Sequence, residues 1–318
     1  MIEELSKKLR ANVVQTHTSW VLILDDVVYK IKKPVNFGFL DYSTLEKRLE
    51  NCVREIELNR RLCPWVYMGV VPISLLDGEY VMENESNPVE YAVKMRRVPE
   101  ERLLKNMLKS VSFEDMKALA KHIASFHLRA EKREEFGRLE VMKFNTDENF
   151  FQTETYIGIT ISQEDYSFIR NKTDGFYSKY AHLFEKRIED GRVRDGHGDI
   201  RLEHVAFLKE GICVFDCIEF NDRFRCGDML NDMCFLSMEL DFVGMEHLSQ
   251  VYEEEYKTIT KDEEFDLFLP FFKCYRAYVR GKVTSFLLED PHYPHKDIAK
   301  ETAKKLFHLS RNYAEKIP

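Results

Sequence analysis

The part of the sequence best suited to catalysis contains two aspartates and a histidine that lies between two glycines. His197 lies between Gly196 and Gly198, and Asp199 follows at once, so the backbone can turn tightly beside a carboxylate. A second carboxylate, Asp216, comes later in the chain. In phosphoryl transfer, one carboxylate orients the acceptor hydroxyl and takes its proton, while another holds the magnesium that bridges the nucleotide phosphates. These residue types therefore indicate phosphoryl transfer, provided that the fold brings the two aspartates together.

A predicted β-hairpin lies between the two aspartates and gives a reason to expect their approach. Apolar runs at Val205–Leu208 and Ile212–Phe215 are separated by three residues ending in glycine, which is typical of a three-residue hairpin loop. In this register, Val205 faces Phe215 and His204 faces Asp216. We therefore expect the ends of the hairpin to meet beside the glycine-rich loop.

The hydrophobic patterns predict a β-rich first part and a helical second part, and thus an α+β protein. Runs of β-branched and aromatic residues recur as far as Val98, interrupted by one amphipathic helix between Ser43 and Pro64. Beyond Pro99, apolar residues recur at spacings of three and four, as in helices. The predicted helices cover residues 113–130, 147–157, 164–190, 228–242, 245–259, 263–288 and 296–315.

Composition excludes several classes of function. The net charge is −8, which argues against a protein that binds nucleic-acid phosphates. No apolar run approaches the ~20 residues of a membrane span, and the charged N-terminus lacks the apolar core of a signal peptide. The seven cysteines include no CxxC pair, and we interpret them as buried, reduced thiols. We expect a cytoplasmic protein that binds neither nucleic acid nor membrane.

The residues around both aspartates resemble the Brenner-type motif of the aminoglycoside phosphotransferase and choline kinase-like superfamily. The stretch Asp216-Cys-Ile-Glu-Phe-Asn-Asp, continuing to Asp228 and Asp232, is similar to the metal-binding aspartate of that superfamily and its Gly-Asp…Asp sequel. More narrowly, the chain resembles an uncharacterised branch that is sometimes fused to a P-loop ATPase domain. No GxxxxGK[ST] pattern occurs, so we do not expect that ATPase domain within these residues. The stretches that carry the closer resemblance are Thr16–Val21, Val28–Asp41, Tyr91–Arg97 and Asp216–Asp228.

The resemblance implies the two-lobed protein-kinase fold and a nucleotide site within it. Residues 1–97 would form a small β-rich nucleotide-binding lobe, and residues 98–318 a larger helical lobe with the catalytic loop and the substrate region. By the resemblance, Lys30 contacts the phosphates of ATP and Glu55 pairs with Lys30. Asp199 is then the catalytic residue.

The resemblance also implies a phosphate-covering turn and a magnesium site, and the chain departs from the superfamily at both. The turn that contains Thr16, Thr18 and Ser19 has no glycine, so hydroxyl groups would replace bare backbone. Asp216 would bind Mg²⁺, but His204 stands where the superfamily has a metal-binding asparagine. The expected metal ligands are Asp216 and His204, while Glu203 or Glu219 could instead supply the missing oxygen.

Several arginines are candidates for the binding of the phosphoryl acceptor. Arg223 and Arg225 follow Asp216, while Arg276 and Arg280 are four residues apart on one predicted helix. Guanidinium groups bind carboxylates and phosphates with forked hydrogen bonds, which fits a sugar or an anionic metabolite better than a polycationic aminoglycoside. A solvated helix face or intramolecular ion pairs would explain the same arginines.

Three functions stay open on this reading. The first is an ATP-dependent kinase of a small molecule, with Asp199 and Asp216 in the roles above. The second is a nucleotide-binding pseudokinase that acts as a regulatory or partner module, which His204 and the glycine-free turn would suit. The third is a metal-dependent hydrolase built on the same histidines and aspartates.

Overall fold

The computed structural model describes all 318 residues, which pack as two compact units. Unit 1 comprises Met1–Ser110 and His197–Arg225, and unit 2 comprises Val111–Gly196 and Cys226–Pro318. The α+β class is confirmed. The segment His197–Arg225, which carries Asp199 and Asp216, belongs to unit 1 together with the large sheet. A division of the chain at residue 97 alone would instead place this segment with the helices.

Unit 1 is built on one antiparallel sheet of six strands. Because every neighbouring pair is antiparallel, side chains alternate between the two faces along each strand. The strands are β1 (Asn12–Gln15), β2 (Ser19–Ile23), β3 (Val27–Lys32), β4 (Tyr67–Leu76), β5 (Glu79–Met82) and β6 (Pro88–Arg96). Their spatial order is β1-β2-β3-β6-β4-β5.

Strand β3 has different environments on its two sides. One side packs with helix α1 (Ile2–Leu9), which the sequence patterns did not predict, in an apolar cluster. The other side carries Lys30 and Lys32, two residues apart, and both side chains reach Glu55 of helix α2 (Leu45–Asn59). The period of two along the strand therefore directs two lysines to one helix.

Helices make up most of unit 2, and the predicted ones are confirmed. The largest difference in bounds is in the second of them, which begins at Leu139 rather than near residue 147. No helix combines the length and the apolar character that crossing a lipid bilayer requires. Unit 1 adds the short helices α3 (Leu104–Met107) and α7 (Asp222–Arg225); unit 2 contains α4 (Phe113–Arg129), α5 (Leu139–Thr153), α6 (Gln163–Glu189), α8 (Met229–Phe242), α9 (Glu246–Thr260), α10 (Phe265–Phe286) and α11 (Lys296–Ala314), with a strand pair of β7 (Val193–Asp195) and β10 (Cys226–Asp228).

The hairpin between the two aspartates is present, but its predicted register is wrong by one residue. It consists of β8 (Val205–Phe207) and β9 (Ile212–Val214). Val205 pairs with Val214 and not with Phe215. The loop is therefore one residue shorter than the sequence suggested.

The glycine of this hairpin explains the shift. Leu208 and Gly211 exchange backbone hydrogen bonds and close the hairpin, which leaves two residues in the loop. The ring of Trp65 lies 2.9 Å from the position that a Cβ atom of Gly211 would take, so this glycine permits close packing inside the pairing. His204 consequently lies opposite Phe215, whose N–H donates to the His204 carbonyl.

Two of the seven cysteines are not reduced thiols, contrary to the prediction. Cys63 and Cys213 form a disulfide in the core of unit 1, with Cα atoms 4.5 Å apart, a usual spacing for such a bond. Cys63 follows α2, and Cys213 lies on β9, 150 residues further along the chain. No local spacing could indicate this pair, because only the folded chain brings its members together.

We expect alkylation in denaturant without a reductant to label five cysteines, and alkylation after reduction to label all seven. Intact-mass measurement of the two samples counts the labels directly. Breaking the bond with Cys213→Ser should lower the free energy of unfolding by about 2–5 kcal/mol. Labelling of all seven cysteines before reduction would contradict the disulfide. The five expected labels are on Cys52, Cys217, Cys226, Cys234 and Cys274.

Candidate functional site

Lys30 lies between two carboxylates of unit 1. Its ammonium donates to Oε1 of Glu55 at 2.9 Å and to Oδ1 of Asp216 at 2.7 Å. Glu55 is fully buried on the face of α2 that packs against the sheet. Burial disfavours the charged form of Lys30, but Asp216 and Glu55 outweigh this effect and raise the pKa of Lys30 well above its usual value. The pair predicted between Lys30 and Glu55 is present, and its lysine is held in the charged form.

Asp216 has a backbone conformation that its surroundings must enforce. Its φ is +62°, in the left-handed region that few residues other than glycine adopt. Its N–H donates to the hydroxyl of Tyr67 at 3.1 Å, and the next N–H, of Cys217, donates to Oδ1 of Asn59 at 2.9 Å. Desolvation would raise the pKa of Asp216, but Lys30 outweighs it and holds that pKa well below its usual range. The carboxylate is therefore both fixed in place and ionised.

Tyr67 and Asn59 were missed by sequence reasoning. Asn59 lies one turn beyond Glu55 on the same face of α2, and this spacing is the only local signal that could have suggested it. Tyr67 begins β4 and carries no signal of its role in the sequence. Both side chains accept hydrogen bonds from backbone N–H groups. A sequence pattern cannot show which N–H groups a distant side chain will bind.

His204 lies between the two aspartates. Its Nδ1 is 2.9 Å from the backbone carbonyl of Asp199, and since a carbonyl only accepts, Nδ1 carries the proton. In the neutral ring, Nε2 is then the basic nitrogen, and it lies 3.6 Å from Oδ2 of Asp216. The Asp199 carboxylate is also near, with Oδ2 at 3.3 Å from Nδ1. Asp199, His204 and Asp216 thus come together as expected, despite the shifted register.

The residues around Oδ2 of Asp216 fit a divalent cation. Oδ1 of the same carboxylate is occupied by Lys30, whereas Oδ2 faces Nε2 of His204. Magnesium prefers oxygen ligands, and imidazole suits manganese, cobalt and zinc better. No cluster of three or more histidine, cysteine, aspartate or glutamate side chains forms a complete metal cage. A single carboxylate is nevertheless enough protein for Mg²⁺ when substrate phosphates and water supply its other ligands.

The loop that carries Asp199 is held by His197. Nε2 of His197 donates to the carbonyl of Phe215 at 3.1 Å, and the N–H of Asp199 donates to Nδ1 of the same ring at 3.3 Å. Gly198 has a φ of +85°, and a Cβ there would lie 2.7 Å from the carbonyl oxygen of Phe224, so only glycine fits. These contacts fix the backbone beside Asp199, as the interpretation of His197 as a residue that orients the loop predicts.

The turn between β1 and β2 is closed by a hydroxyl group in place of glycine. Oγ1 of Thr16 accepts from the N–H of Ser19 at 2.9 Å and from that of Thr18 at 3.3 Å. The ammonium of Lys33 donates to the Thr16 carbonyl at 2.6 Å. The side chain of Ser19 is buried and makes no hydrogen bond within the chain. Of the three residues assigned to this turn, Thr16 and Thr18 are the ones with exposed surface.

The two arginines that follow Asp216 differ in their surroundings. Arg225 is 3% exposed and donates to the carbonyl of Ile218 at 3.0 Å and to Asp222 at 2.8 Å. Arg223 is half-buried, with its guanidinium over the ring of Phe224. Arg225 therefore stabilises the segment after Asp216 through buried hydrogen bonds. Arg223 is more exposed to solvent than Arg225 and is the better placed of the two to bind a ligand.

The other two arginines lie on α10 in unit 2. Arg276 is buried and donates to the carbonyl of Asn231 at 3.0 Å. Arg280 has its Nε 3.7 Å from a carboxylate oxygen of Glu239. Both therefore have partners within unit 2, and their assignment to the acceptor stays a prediction.

A second lysine, to which the sequence reading assigned no role, belongs to the site. Lys32 is 1% exposed and donates to Oε2 of Glu55 at 2.7 Å and to Glu219. The hydroxyl of Tyr42 also donates to Glu219, at 2.5 Å. Glu219 is thus buried between these two groups, which disfavours it as the source of a missing metal ligand. The Lys-Ile-Lys spacing on one strand was the available signal.

Comparison with curated proteins finds relatives of greater length. No known protein-family profile matches the chain. An uncharacterised protein of Mycobacterium bovis and others from two strains of Mycobacterium tuberculosis are 31% identical to it over 277 residues. The match covers 86% of this chain and 54% of each relative, so the chain spans about half the length of the curated relatives it matches.

Solved structures similar to this one are kinases of small molecules. A choline/ethanolamine kinase family protein from Mesorhizobium loti has a TM-score of 0.56 at 11% identity, over 99% of both chains. Choline kinase from Cryptosporidium parvum has a TM-score of 0.54 at 12% identity, over 99% of this chain and 90% of that one. An aminoglycoside phosphotransferase in complex with GDP and kanamycin has a TM-score of 0.52 at 11% identity, over 98% of both. The chain therefore has the kinase-like fold that choline kinases and aminoglycoside phosphotransferases share.

Proposed function

We propose that the chain is an ATP-dependent phosphotransferase that transfers the γ-phosphoryl group to a hydroxyl of a small molecule. The observation that carries this proposal is the meeting of Lys30, Asp199, His204 and Asp216 in unit 1, all linked by contacts of 4 Å or less. A lysine, a base and a metal-binding carboxylate are the groups that phosphoryl transfer needs. The fold shared with small-molecule kinases, one of them bound to GDP and kanamycin, supports the same reaction.

Lys30 is the residue that contacts the nucleotide phosphates in this proposal. An ammonium has three N–H donors, and Glu55 and Asp216 accept two of them. The third can donate to a phosphate oxygen without loss of either carboxylate. The exposed side of the Thr16–Ser19 turn, with the side chains of Thr16 and Thr18, covers the phosphates in this proposal, as the glycine-rich loop does in protein kinases.

Asp216 and His204 would hold the metal in this proposal, through Oδ2 and Nε2, which lie 3.6 Å apart. The bond from Nδ1 of His204 to the Asp199 carbonyl fixes the ring so that Nε2 points at Asp216. When bound there, Mg²⁺ would neutralise the negative charge that develops on the phosphate oxygens during transfer. His204 also ties the metal ligands to the loop of the catalytic residue, because its other nitrogen contacts Asp199.

Asp199 orients the acceptor hydroxyl and receives its proton at the carboxylate. Its side chain is about one quarter exposed, so a small molecule can reach it. His197 and Gly198 fix the backbone of the loop, and Arg201 lies 4.0 Å from the carboxylate. The acceptor is a sugar or an anionic metabolite in this proposal. Of the four candidate arginines, Arg223 and Arg280 are partly exposed, and Arg223 belongs to the same unit as Asp199.

Screening of a metabolite panel for acceptor-dependent ATP turnover, with wild type and Asp199→Asn in parallel, tests the proposed function. We expect at least one hydroxyl compound to stimulate turnover by wild type and not by the variant. Nucleotide binding with no stimulated turnover in either protein would instead favour the regulatory pseudokinase. Metal binding without nucleotide binding would favour the hydrolase.

We expect His204→Asn to change which metal supports nucleotide binding. Since imidazole favours manganese and cobalt over magnesium, wild type should bind nucleotide more tightly with Mn²⁺ than with Mg²⁺. The asparagine oxygen should lower that Mn²⁺-to-Mg²⁺ affinity ratio by about tenfold, or ~1.4 kcal/mol. Nucleotide titrations with each metal measure the ratio. An equal ratio in both proteins would mean that His204 is a hydrogen-bond donor only.

A further inference from the structure

The segment from Asp216 to Glu219 is attached to β3 at both of its ends. At the first end, Asp216 accepts from Lys30, and at the second, Glu219 accepts from Lys32. The two lysines are also linked to each other, because each donates to one oxygen of Glu55. Two residues at alternate positions on one strand thus hold two carboxylates three residues apart on one loop.

With both lysines counted, the network keeps one net negative charge. Lys30 and Lys32 carry two positive charges, and the buried Glu55 and Glu219 carry two negative ones, which leaves Asp216 as the remaining anion. Burial would raise the pKa of Glu219, but Lys32 outweighs it and keeps that pKa below its usual value. Without Lys32, the charge of Lys30 would be shared among three carboxylates.

The strained backbone at Asp216 needs attachment on both sides. A left-handed φ at a residue other than glycine persists where surrounding contacts enforce it. Tyr67 and Asn59 hold the first two N–H groups of the segment, and the N–H of Ile218 donates to the His197 carbonyl at 3.1 Å. At the end of the segment, the side chain of Glu219 provides the attachment.

We propose that Lys32 and Glu219 are positioning residues for Asp216: their buried ion pair fixes the far end of the segment to β3 and leaves the charge of Lys30 to Glu55, to Asp216 and to the nucleotide phosphates. This inference rests on the proposed function. Neither residue touches substrate or metal in it. Tyr42 assists by donating a second hydrogen bond to Glu219.

Glu219→Gln tests the inference, since glutamine keeps the shape and the acceptor oxygen but removes the charge. Addition of Mg²⁺ or Mn²⁺ should raise the nucleotide affinity of wild type, and we expect this gain to be about tenfold or more smaller in the variant. Losses of this size are typical when a residue that orients a metal ligand, without binding the metal itself, is replaced. Metal-free nucleotide affinity should be retained. Amide hydrogen exchange of residues 216–219 should become about tenfold faster without any ligand.

Glu90→Gln is the matched control. Glu90 forms a buried ion pair with Arg48 of α2 in the same unit, at 2.9 and 3.0 Å, and contacts no residue of the 216–219 segment in the hydrogen bonds described. It should lose stability while keeping the metal-dependent gain and slow exchange at residues 216–219. The double variant Lys32→Met with Glu219→Gln removes both charges, so it should regain thermal stability without regaining the metal-dependent gain.

The outcomes separate the inference from the proposed function. An unchanged metal-dependent gain in Glu219→Gln, or an equal loss in Glu90→Gln, would overturn the positioning role and leave the kinase proposal intact. Wild type that binds no nucleotide would overturn the proposed function, and with it this inference. Unchanged amide exchange in Glu219→Gln would overturn the attachment itself, whatever the nucleotide binding.

Discussion

Replacement of Asp199 by asparagine is expected to lower acceptor-dependent turnover by two or more orders of magnitude. Loss of a general base and of the orientation it gives is typically worth about 10²–10⁴-fold. Asparagine keeps the size of the side chain and an acceptor oxygen near His204, so the loop should keep its shape. Steady-state kinetics with an acceptor from the metabolite panel measure the effect.

Nucleotide affinity serves as the internal control for this variant. Since Lys30 and Asp216 lie outside the change, affinity for nucleotide with metal should stay within a few-fold of wild type. Glu210→Gln, which removes a carboxylate from the exposed tip of the β8–β9 hairpin, should leave turnover unchanged. Near-native turnover by Asp199→Asn would remove Asp199 from the mechanism.

Replacement of Asp216 by alanine is expected to abolish the metal-dependent part of nucleotide binding. Two carboxylate oxygens lie near Nε2 of His204, Oδ2 of Asp216 at 3.6 Å and Oε1 of Glu203 at 3.9 Å. Asp216 is the one that the proposal assigns to Mg²⁺, which prefers oxygen ligands, and without it the imidazole is a poor ligand for so hard a cation. Nucleotide titrations with and without Mg²⁺ should therefore give the same affinity for the variant and different affinities for wild type.

Backbone strain must be separated from metal binding in this variant. Alanine in a left-handed conformation costs about 1–2 kcal/mol, whereas asparagine tolerates φ near +62° much as aspartate does. Asp216→Asn should thus fold as wild type does and still lose most of the metal dependence, because it lacks the charge. If Asp216→Asn kept the full metal dependence, the loss in the alanine variant would report strain, and the metal ligand would lie elsewhere.

What the sequence patterns missed most is a set of groups that lie far apart in the chain and meet between β3 and α2. Lys30 and Glu55 could be paired through the resemblance to kinases, but Lys32, Glu219 and Tyr42 form a buried network with no counterpart in that pattern. A lysine on a strand is ordinarily read as a surface residue. Only burial against a glutamate on a neighbouring helix shows that it belongs to the interior.

The sequence alone determined two kinds of feature: the local secondary structure, and the type of chemistry that the residues can perform. Periods of two and of about 3.6 predicted the strands and helices, because each element must turn its apolar face toward a core. The glycines around His197 and the two aspartates indicated phosphoryl transfer, because carboxylates and tight backbone turns are what that reaction needs.

The tertiary structure alone decided the contacts between residues distant in the chain. It joined Cys63 to Cys213, paired Leu208 with Gly211 in the hairpin, and placed Lys32 against Glu219. No local pattern names the partner in any of these contacts, since each depends on which side chains fill the same space once the chain has folded. Packing against a distant partner, rather than propensity, decided them.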